Sequence, residues 1–420
     1  MIDRIMRHQT SWVVSRILLA AILILGAGCA RQDQSSQGNE EPIPIGAVLP
    51  LTGPISFLGQ SEQQGMSVAA DKINAQGGVL GRDVRIVFED SNPQGDQGVS
   101  AARNLIDTEG ANFIFTSTTG VSNTIKQSVV DGSNALQFVF AMDERIPQGM
   151  ENVFRIYPGI LEEGETLLKY VRMVQPERVA IMYFDSPAFT GLAEDFLEPR
   201  LQEMNIEAVA TEGFGRGGYS VIRNTAAKVR SFEPSLVLIA AYYNQIPQIV
   251  RALREYNLEE SAGIASVLDA TMAVDQNQIE PSLLQGVVVA VPAYSYSAFH
   301  GGVDSLSADT SFVDTYRSEY GEVPNFDAAY AYDAVMMLAQ AISTANTTEP
   351  EAVRAALLDI EYQGASGRFT LRSDGNVETS WQLAMYCGGM LIQIKESPQR
   401  SSRNAPLGCD TVTAAVPQIQ

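Results

Sequence analysis

Short apolar runs alternate with stretches of helical spacing along most of the chain. The runs predict strands at residues 45–49, 84–88, 113–115, 138–140, 179–183, 208–210, 236–240 and 287–291. Helices are predicted between them and at 327–344, and a terminal hairpin is predicted to join 367–371 to 381–386. This alternation indicates right-handed βαβ crossovers, and two runs of similar rhythm indicate two similar lobes. We therefore predict an α/β fold with two doubly wound parallel-sheet lobes.

A hydroxyl-rich loop follows the third predicted strand and leads into a helix. It contains Thr118, Thr119 and Ser122. Ligands of open α/β sheets bind beyond the carboxyl ends of the strands, where a helix N-terminus offers free N–H groups. The loop is therefore a candidate ligand cradle, with plain capping of the helix as the alternative.

Length and charge restrict the classes of protein. The chain has 420 residues with 45% apolar residues, which is enough for two domains with apolar cores. Its formal net charge is −21 and its pI is near 4.5. This charge argues against nucleic acid as a partner, because phosphate binding needs a basic surface.

The first 28 residues are interpreted as a lipoprotein signal peptide. Arg4, Arg7 and Arg16 precede the apolar run 17–25, which is too short for a stable membrane span. Small residues stand immediately before Cys29, as in the cleavage box of bacterial lipoproteins. We predict lipidation of Cys29, a flexible tether at 29–42 and a location in the cell envelope, on the periplasmic side of a membrane. The alternative is an ordinary export signal.

The other two cysteines are Cys387 and Cys409, and an exported chain most simply joins them in one disulfide. No metal site is predicted, because the chain lacks the spacing of histidines and cysteines that zinc requires. A Ser-His-Asp triad is not expected either, because His300 is the one histidine after residue 28. Residues 213–218 satisfy G-x-G-x-x-G, so a dinucleotide-dependent enzyme is the distant alternative.

Three stretches resemble a known family. They are residues 45–59 (containing IGAVLPLTGP and Leu58-Gly59), 71–81 (DKINAQGGVLG) and 330–335 (YAYDAV). They are similar to extracytoplasmic substrate-binding proteins of branched-chain amino acid (Leu/Ile/Val-type) ABC transporters, in the periplasmic binding protein type I family. The similarity spans about residues 43–394, and 71–81 is its most specific part.

The resemblance implies two lobes joined by a three-crossing hinge that close on a ligand. Carried onto this chain, the crossings lie near 157–158, 292–293 and 364–367. The first lobe would then comprise 43–157 and 293–364. The second would comprise 158–292 and 365–397, leaving 398–420 as a C-terminal tail.

The resemblance also implies the ligand-binding residues. A hydroxyl and backbone N–H groups in the loops after the third and fourth strands would hold the ligand carboxylate. The matching positions are Thr118, Thr119, Ser122, Ala141 and Asp143. The remaining matches are the aromatic residues Phe189 and Tyr242, Asp269 for the ligand ammonium, and Phe57 and Leu58 beside the side-chain pocket. Each has a structural alternative, as a core aromatic residue or a helix cap.

Asp143 departs from the family pattern, in which a small or hydroxyl residue is usual. An ionised aspartate only accepts hydrogen bonds and would repel a ligand carboxylate. Asp143 could point away, the ligand could lack a carboxylate there, or the ligand could carry an extra cation.

The sequence therefore predicts a monomeric, lipid-anchored solute-binding protein rather than an enzyme. It would need no cofactor, capture an amino acid or similar small polar ligand, and deliver it to an ABC permease. A ligand sensor of the same fold, for an amide, urea or aromatic acid, is the alternative.

Overall fold

A computed structural model describes residues 41–53, 55–92, 96–258, 262–268, 270, 279–292, 310–379, 381–394 and 408–410. Cys29, Asp269, the predicted signal peptide and the predicted crossing at 292–293 lie wholly or partly outside these residues. In this part of the chain the α-helices are α1 Ser56–Ala75, α2 Asp96–Asp107, α3 Thr119–Ile125, α4 Ile160–Val174, α5 Pro187–Thr190, α6 Glu198–Glu203, α7 Tyr219–Arg230, α8 Ile246–Glu255, α9 Thr310–Tyr320, α10 Phe326–Ala345 and α11 Pro350–Asp359. Two π-helical segments, Lys126–Val130 and Gly191–Leu197, continue α3 and α5.

The first lobe is built on a parallel sheet. Among the described residues its strands are β1 Ile43–Leu49, β2 Val84–Asp90, β3 Phe113–Ser117, β4 Leu136–Phe140 and β5 Val153–Arg155. They lie in the order β2-β1-β3-β4-β5 and every pair is parallel. Each residue of β3 and β4 is buried, as expected of strands covered on both faces.

Helices α1 and α10 pack closely on the first sheet. Gly65 of α1 lies so near the backbone of Ala328 in α10 that a Cβ atom would collide with the Ala328 carbonyl oxygen. The approach of the two helices therefore requires glycine at this position. Helix α10 is buried along most of its length, which agrees with its largely apolar sequence.

The second lobe is built on a mixed sheet. Its described strands are β6 Arg178–Phe184, β7 Glu207–Phe214, β8 Leu236–Ala240, β9 Gly263–Ser266, β10 Val288–Pro292, β14 Trp381–Cys387 and β15 Met390–Gln393. They lie in the order β15-β14-β10-β9-β8-β6-β7, and β6 to β10 are parallel. Strand β14 joins β10 antiparallel and β15 pairs with β14. The predicted α/β class with two parallel-sheet lobes is confirmed.

The predicted terminal hairpin is wrong. Strand β12 (Gly367–Leu371) pairs with β11 (Glu361–Gly364) and with β13 (Val377–Glu378), whereas β14 pairs with β10 of the second lobe. The buried side chains explain the separation, because Phe369 packs in the core cluster of the first lobe and Met385 in that of the second. The two segments share a turn in sequence but bury their apolar residues in different cores.

The connections between the lobes follow from the same packing. Tyr157 belongs to the first cluster and Ile160 to the second, so the chain changes lobe between them. Ala365, Phe369 and Val377 still pack with the first lobe. The return to the second lobe therefore follows β13, whereas the sequence-based division put residues 365–397 in the second lobe.

Cys387 and Cys409 form a disulfide, with their Cα atoms 5.5 Å apart. Cys387 ends β14, so the bond ties the segment around Cys409 to the second lobe. Within the described ranges, no helix has the length and apolar character needed to cross a membrane.

Candidate ligand-binding cleft

Both lobes place a topological switch point at the carboxyl ends of their central strands. In the first lobe the chain goes from β1 to β2 on one side and then to β3 on the other; in the second it goes from β6 to β7 and then to β8. Ligands of open α/β sheets bind in the crevice at such a point. Phe57 and Thr118 follow β1 and β3, and Phe189 and Tyr242 follow β6 and β8. The sequence-predicted residues therefore cluster at both switch points.

The loop after β3 is strained at Thr118. Its φ of 68° and ψ of 147° lie in a region that is rarely occupied by any residue except glycine. The Thr118 N–H donates to the Phe140 carbonyl oxygen at 3.0 Å, which joins the loops after β3 and β4. Thr118 and Thr119 are half-buried, so part of each side chain reaches solvent. Such strain is typical of ligand-binding loops.

Ser122 lies beneath this loop rather than on its surface. It is fully buried, and its carbonyl oxygen accepts from Gln137 Nε2 at 3.0 Å. Gln137 Nε2 also donates to Thr116 Oγ1 at 2.9 Å. The placement of Ser122 therefore supports a role in holding the loop rather than the predicted contact with a ligand.

Ala141 and Asp143 follow β4 beside the strained loop. Ala141 is buried, and the Asp143 carboxylate binds Arg145 through two hydrogen bonds of 2.9 Å, to Nε and to a terminal nitrogen. Burial opposes ionisation of Asp143, but the hydrogen bonds from the Arg145 side chain and N–H outweigh it and lower the Asp143 pKa. The sequence did not indicate this pairing. Arg145 compensates the charge that was expected to repel a ligand carboxylate.

The aromatic residues of the second lobe form a stack that rises from its core. Phe189 is fully buried, and its ring meets Tyr242 edge-on at 4.9 Å between centroids. Tyr242 also contacts Phe184 at 5.8 Å and is 43% exposed. Phe189 therefore matches its structural alternative, a core aromatic residue, because α5 turns its ring into the apolar cluster. Tyr242 carries the exposed end of the stack.

The two lobes touch across the cleft. The ring of Phe57, near the start of α1, meets the ring of Tyr243 edge-on at 5.3 Å. Tyr243 follows β8, so this contact joins the two switch points. Leu58 is half-buried beside Phe57. The charge of Asp195 in the second lobe also acts on Arg145 of the first, which brings the loop after β4 close to the opposite lobe.

Two buried acids at this cleft were not among the predicted site residues. Glu62 of α1 is 2% exposed and accepts from Ser117 Oγ, at the end of β3, at 2.9 Å. Asp327, at the start of α10, is 1% exposed and accepts from Tyr157 OH at 2.5 Å. The Glu62–Ser117 bond joins the helix after β1 to the end of β3, which is the switch point itself.

Burial and the charge of Asp327 raise the pKa of Glu62 well above its ordinary value. Burial and Asp327 also raise the pKa of Tyr157 well above the usual value, and they raise the pKa of Tyr243 to about 12. Because Tyr243 belongs to the second lobe, Asp327 acts across the cleft. The raised pKa favours the protonated, uncharged form of Glu62 at the switch point.

A sequence signal for these acids existed. Glu62 falls on the buried stripe of α1 with Gly59, Met66 and Ile73, and Asp327 occupies the same kind of position in α10. A charged residue at a core position of a helix needs a specific partner or function. Periodicity combined with residue charge could have identified both residues.

The G-x-G-x-x-G segment begins at the end of an edge strand and not in front of the central strand of the second sheet. Gly213 and Phe214 end β7, the edge strand of the second sheet among the described strands. A dinucleotide site requires the glycine turn at the switch point, in front of the central strand. The structure therefore does not support the alternative of a dinucleotide-dependent enzyme.

A cavity of about 410 Å³ lies in the first lobe, and its lining includes Asp131, Asn152 and Arg354. Asp131 and Asn152 come just before β4 and β5, so the cavity lies at the amino ends of these strands, opposite to the candidate cleft.

The sequence of this chain matches one family profile, described as periplasmic binding protein, over residues 42–389. The chain belongs to the periplasmic binding protein family. This assignment confirms the resemblance seen in residues 45–59, 71–81 and 330–335, and it classes the chain as a binding protein rather than an enzyme.

Relatives and solved structures agree with this family. The chain is 23% identical over 373 residues to Leu/Ile/Val-binding protein homolog 7 of Brucella suis, covering 86% of this chain and 90% of that protein. The fold resembles an amino acid ABC transporter substrate-binding protein from Pseudomonas fluorescens, with a TM-score of 0.75 at 14% identity, covering 87% and 98% of the two chains. It also resembles LivJ of Streptococcus pneumoniae in complex with isoleucine, with a TM-score of 0.68 at 19% identity, covering 84% and 100%.

Proposed function

We propose that this periplasmic binding protein captures an amino acid in the cleft between its two lobes and delivers it to an ABC permease. The observation that carries the proposal is the pairing of the two switch points across the Phe57–Tyr243 contact. Strained Thr118 lies on one side, and exposed Tyr242 lies on the other. The names of the Brucella, Pseudomonas and Streptococcus proteins support an amino acid as ligand.

In this proposal Thr118 and Thr119 receive the ligand carboxylate, and Tyr242 packs on the ligand from the second lobe. Ala141 borders the carboxylate, and Asp143 stays paired with Arg145. Phe57 and Leu58 line the side-chain pocket. Asp269 remains an expectation drawn from the family resemblance.

The first experiment is a thermal-shift screen of the purified protein against the common amino acids, small amides, urea and aromatic acids. A bound ligand raises the unfolding temperature by mass action, with a free energy that grows with its concentration relative to Kd. We expect leucine, isoleucine or valine to give a saturable shift. If amides, urea or aromatic acids alone give one, the sensor alternative replaces this proposal.

The Tyr242→Ala variant tests the position of the site. Because Tyr242 is 43% exposed, we expect its removal to lower the unfolding temperature of the ligand-free protein only slightly. The same variant should lose most of the ligand-induced shift. Tyr256→Ala, at the end of α8, is the control. A full ligand response in Tyr242→Ala would place the site elsewhere.

We also propose that Cys29 carries the lipid that anchors this binding protein to the envelope. The basic residues before the apolar run and the small residues before Cys29 support the proposal. Cys29→Ser should release the protein from the membrane fraction and abolish incorporation of labelled palmitate. Unchanged membrane retention without label would support an anchor of another kind.

A further inference from the structure

Glu144 of the first lobe lies at the beginning of helix α4 in the second lobe. It follows β4 in a loop whose residue Ile146 is buried in a core cluster of the first lobe. Helix α4 begins at Ile160, and both Ile160 and Leu167 are buried in the core of the second lobe. The Ile160 N–H donates to the Met142 carbonyl oxygen at 3.3 Å. The loop after β4 therefore contacts α4 across the boundary between the lobes.

Glu144 takes the place of a missing helix cap. The N-cap residue of α4 is Gly159, which has no side chain to accept from the first N–H groups of the helix. A Cβ atom on Gly159 would lie 2.0 Å from Glu144 Oε1, so the glutamate carboxylate fills the space beside the N-cap. Burial raises the pKa of Glu144, and hydrogen bonding from the N–H groups of Glu162 and Leu161 opposes this shift. The first turn of α4 therefore faces a carboxylate of the other lobe, which the helix dipole favours.

A buried arginine joins this cap to a second connection between the lobes. Arg155 ends β5 and is fully buried, and its Nε donates to Asn376 Oδ1 at 2.6 Å. Its Nη1 donates to the Tyr157 carbonyl oxygen. Asn376 Nδ2 donates to the Glu144 carbonyl oxygen at 3.2 Å. Because Asn376 directly precedes β13, after which the chain returns to the second lobe, Arg155 and Glu144 lie where both connections meet.

Two buried atoms of complementary charge lack partners in this network. Among the described residues, Glu144 Oε1 accepts from no donor and Arg155 Nη2 donates to no acceptor. Such atoms are rare in native proteins, because their lost hydration is not replaced. The charges of Glu144 and Arg155 act on each other. A carboxylate and a guanidinium can form two parallel hydrogen bonds, so each residue could satisfy the other.

The construction of the lobes allows Glu144 to exchange one partner for the other. The lobes have separate core clusters, and Met142 of the loop after β4 packs on clusters of both. Relative motion is the default for units that do not share a large apolar interface. Since α4 precedes β6, its beginning lies at the edge of the sheet where β6 ends, which is also the cleft edge. Separating α4 from the loop after β4 therefore opens the cleft and frees the Glu144 carboxylate.

We infer that Glu144 is a hinge switch with two partners: it caps α4 while the lobes touch, and it pairs with Arg155 when they rotate apart. The inference goes beyond the proposed function, because it concerns the balance between two arrangements of the lobes and not the ligand. Glu144 directly follows Asp143, so this balance is set within a loop of the candidate site.

The Gly159→Ala variant tests the capped arrangement, because its methyl group takes the space of Glu144 Oε1. The φ of −86° and ψ of 135° at this position suit alanine, so the backbone itself is not strained. Small-angle X-ray scattering of the purified, ligand-free protein should show a larger radius of gyration than the wild type. An unchanged radius of gyration overturns the inference.

The double variant Glu144→Ala/Gly159→Ala is the matched control. Once the glutamate side chain is gone, the alanine at position 159 meets no carboxylate, so Gly159→Ala should leave the radius of gyration of Glu144→Ala unchanged. An equal increase in both backgrounds would assign the effect to Gly159 alone and overturn the inference. A crystal structure of the single variant Gly159→Ala should show the Glu144 carboxylate bonded to Arg155 Nη2. A Glu144 side chain turned into solvent overturns the pairing.

Hydrogen exchange tests the cap without changing Gly159, and it decides if Gly159→Ala fails to fold. In Glu144→Ala the N–H groups of Leu161 and Glu162 should lose protection relative to the wild type. Glu165→Ala, in the same helix, should leave their protection unchanged. Equal protection in Glu144→Ala and the wild type overturns the inference. All these measurements are made without ligand, so failure of every amino acid to bind overturns the proposed function and leaves this inference standing.

Discussion

The two faces of the cleft differ in the chemical character of their residues. The first lobe presents a strained threonine, a paired Asp143–Arg145 and two buried acids. The second presents Phe184, Phe189 and Tyr242, stacked on its apolar core. The first face therefore contains a strained backbone and buried charged groups, both of which lower stability. The second face is an extension of the apolar core. We expect polar recognition to reside in the first lobe and shape complementarity in the second.

The largest effect on stability is expected from removing a buried aromatic ring from the second-lobe face of the cleft. Phe189→Ala should lower the free energy of unfolding by about 3–5 kcal/mol, because a fully buried ring leaves a cavity. Tyr242 would lose its edge-on support at the same time. Thr119→Ala on the first face should change stability by less than about 0.5 kcal/mol. Urea unfolding followed by circular dichroism measures both.

Phe189→Leu is the control for this substitution, since it keeps an apolar side chain in the space and should cost less than the alanine variant. Equal losses from Phe189→Ala and Thr119→Ala would contradict the contrast between the two faces.

The second-largest effect is the pH dependence of stability that a buried acid of the first lobe, Asp333, is expected to cause. Asp333 in α10 is 1% exposed and accepts from the N–H groups of Ala365 and Ser366 at 2.8 and 2.7 Å. Burial outweighs these hydrogen bonds and raises the pKa of Asp333 to about 7. The folded state therefore binds more protons than the unfolded state between the ordinary Asp pKa of 3.8 and 7. Stability should be full below about pH 4 and fall by a few kcal/mol as pH rises through 7.

Urea unfolding of the wild type and of Asp333→Asn between pH 4.5 and 8 measures this dependence. The variant has no titrating group at this position, so its decline should be shallower. Hydrogen exchange should assign the lost protection to first-lobe amides, including those of β11 and β12. Identical slopes in the two proteins would show that Asp333 does not titrate in this range.

The smallest effect tests the strain at Thr118. Glycine adopts positive φ without steric cost, which relieves about 1–3 kcal/mol, while its greater freedom in the unfolded chain costs about 0.5–1 kcal/mol. Thr118→Gly should therefore stabilise the ligand-free protein by about 1 kcal/mol and weaken leucine binding through loss of the hydroxyl. Thermal unfolding with and without leucine measures both.

Thr119→Gly is the matched control, because Thr119 begins α3 and glycine lowers helix stability. It should lower the unfolding temperature where Thr118→Gly raises it. If Thr118→Gly instead lowered the unfolding temperature, the backbone at Thr118 would not be strained.

Local pattern in the sequence determined most of the architecture. Apolar runs identified β1, β3, β4, β6, β8 and β10, and helical spacing identified α4, α7, α8 and α10, because burial of one face imposes a period on the residues. Helices α9 and α11 and strands β9, β11 and β15 were not predicted. Strand β11, for example, reads EYQG and has only its last residue buried, so its apolar signal is weak.

Tertiary structure alone decided how those elements meet. The sequence could propose Thr118, Thr119 and Tyr242 for the cleft, because loops at strand ends carry function. It could not show that Arg145 neutralises Asp143, that Phe189 turns into the core, or that β12 and β14 belong to different lobes. These outcomes depend on contacts between residues distant in sequence, which no local period encodes. The Glu62–Asp327 pair shows this most clearly, because α1 and α10 each carry one acid and only their packing brings the two charges together.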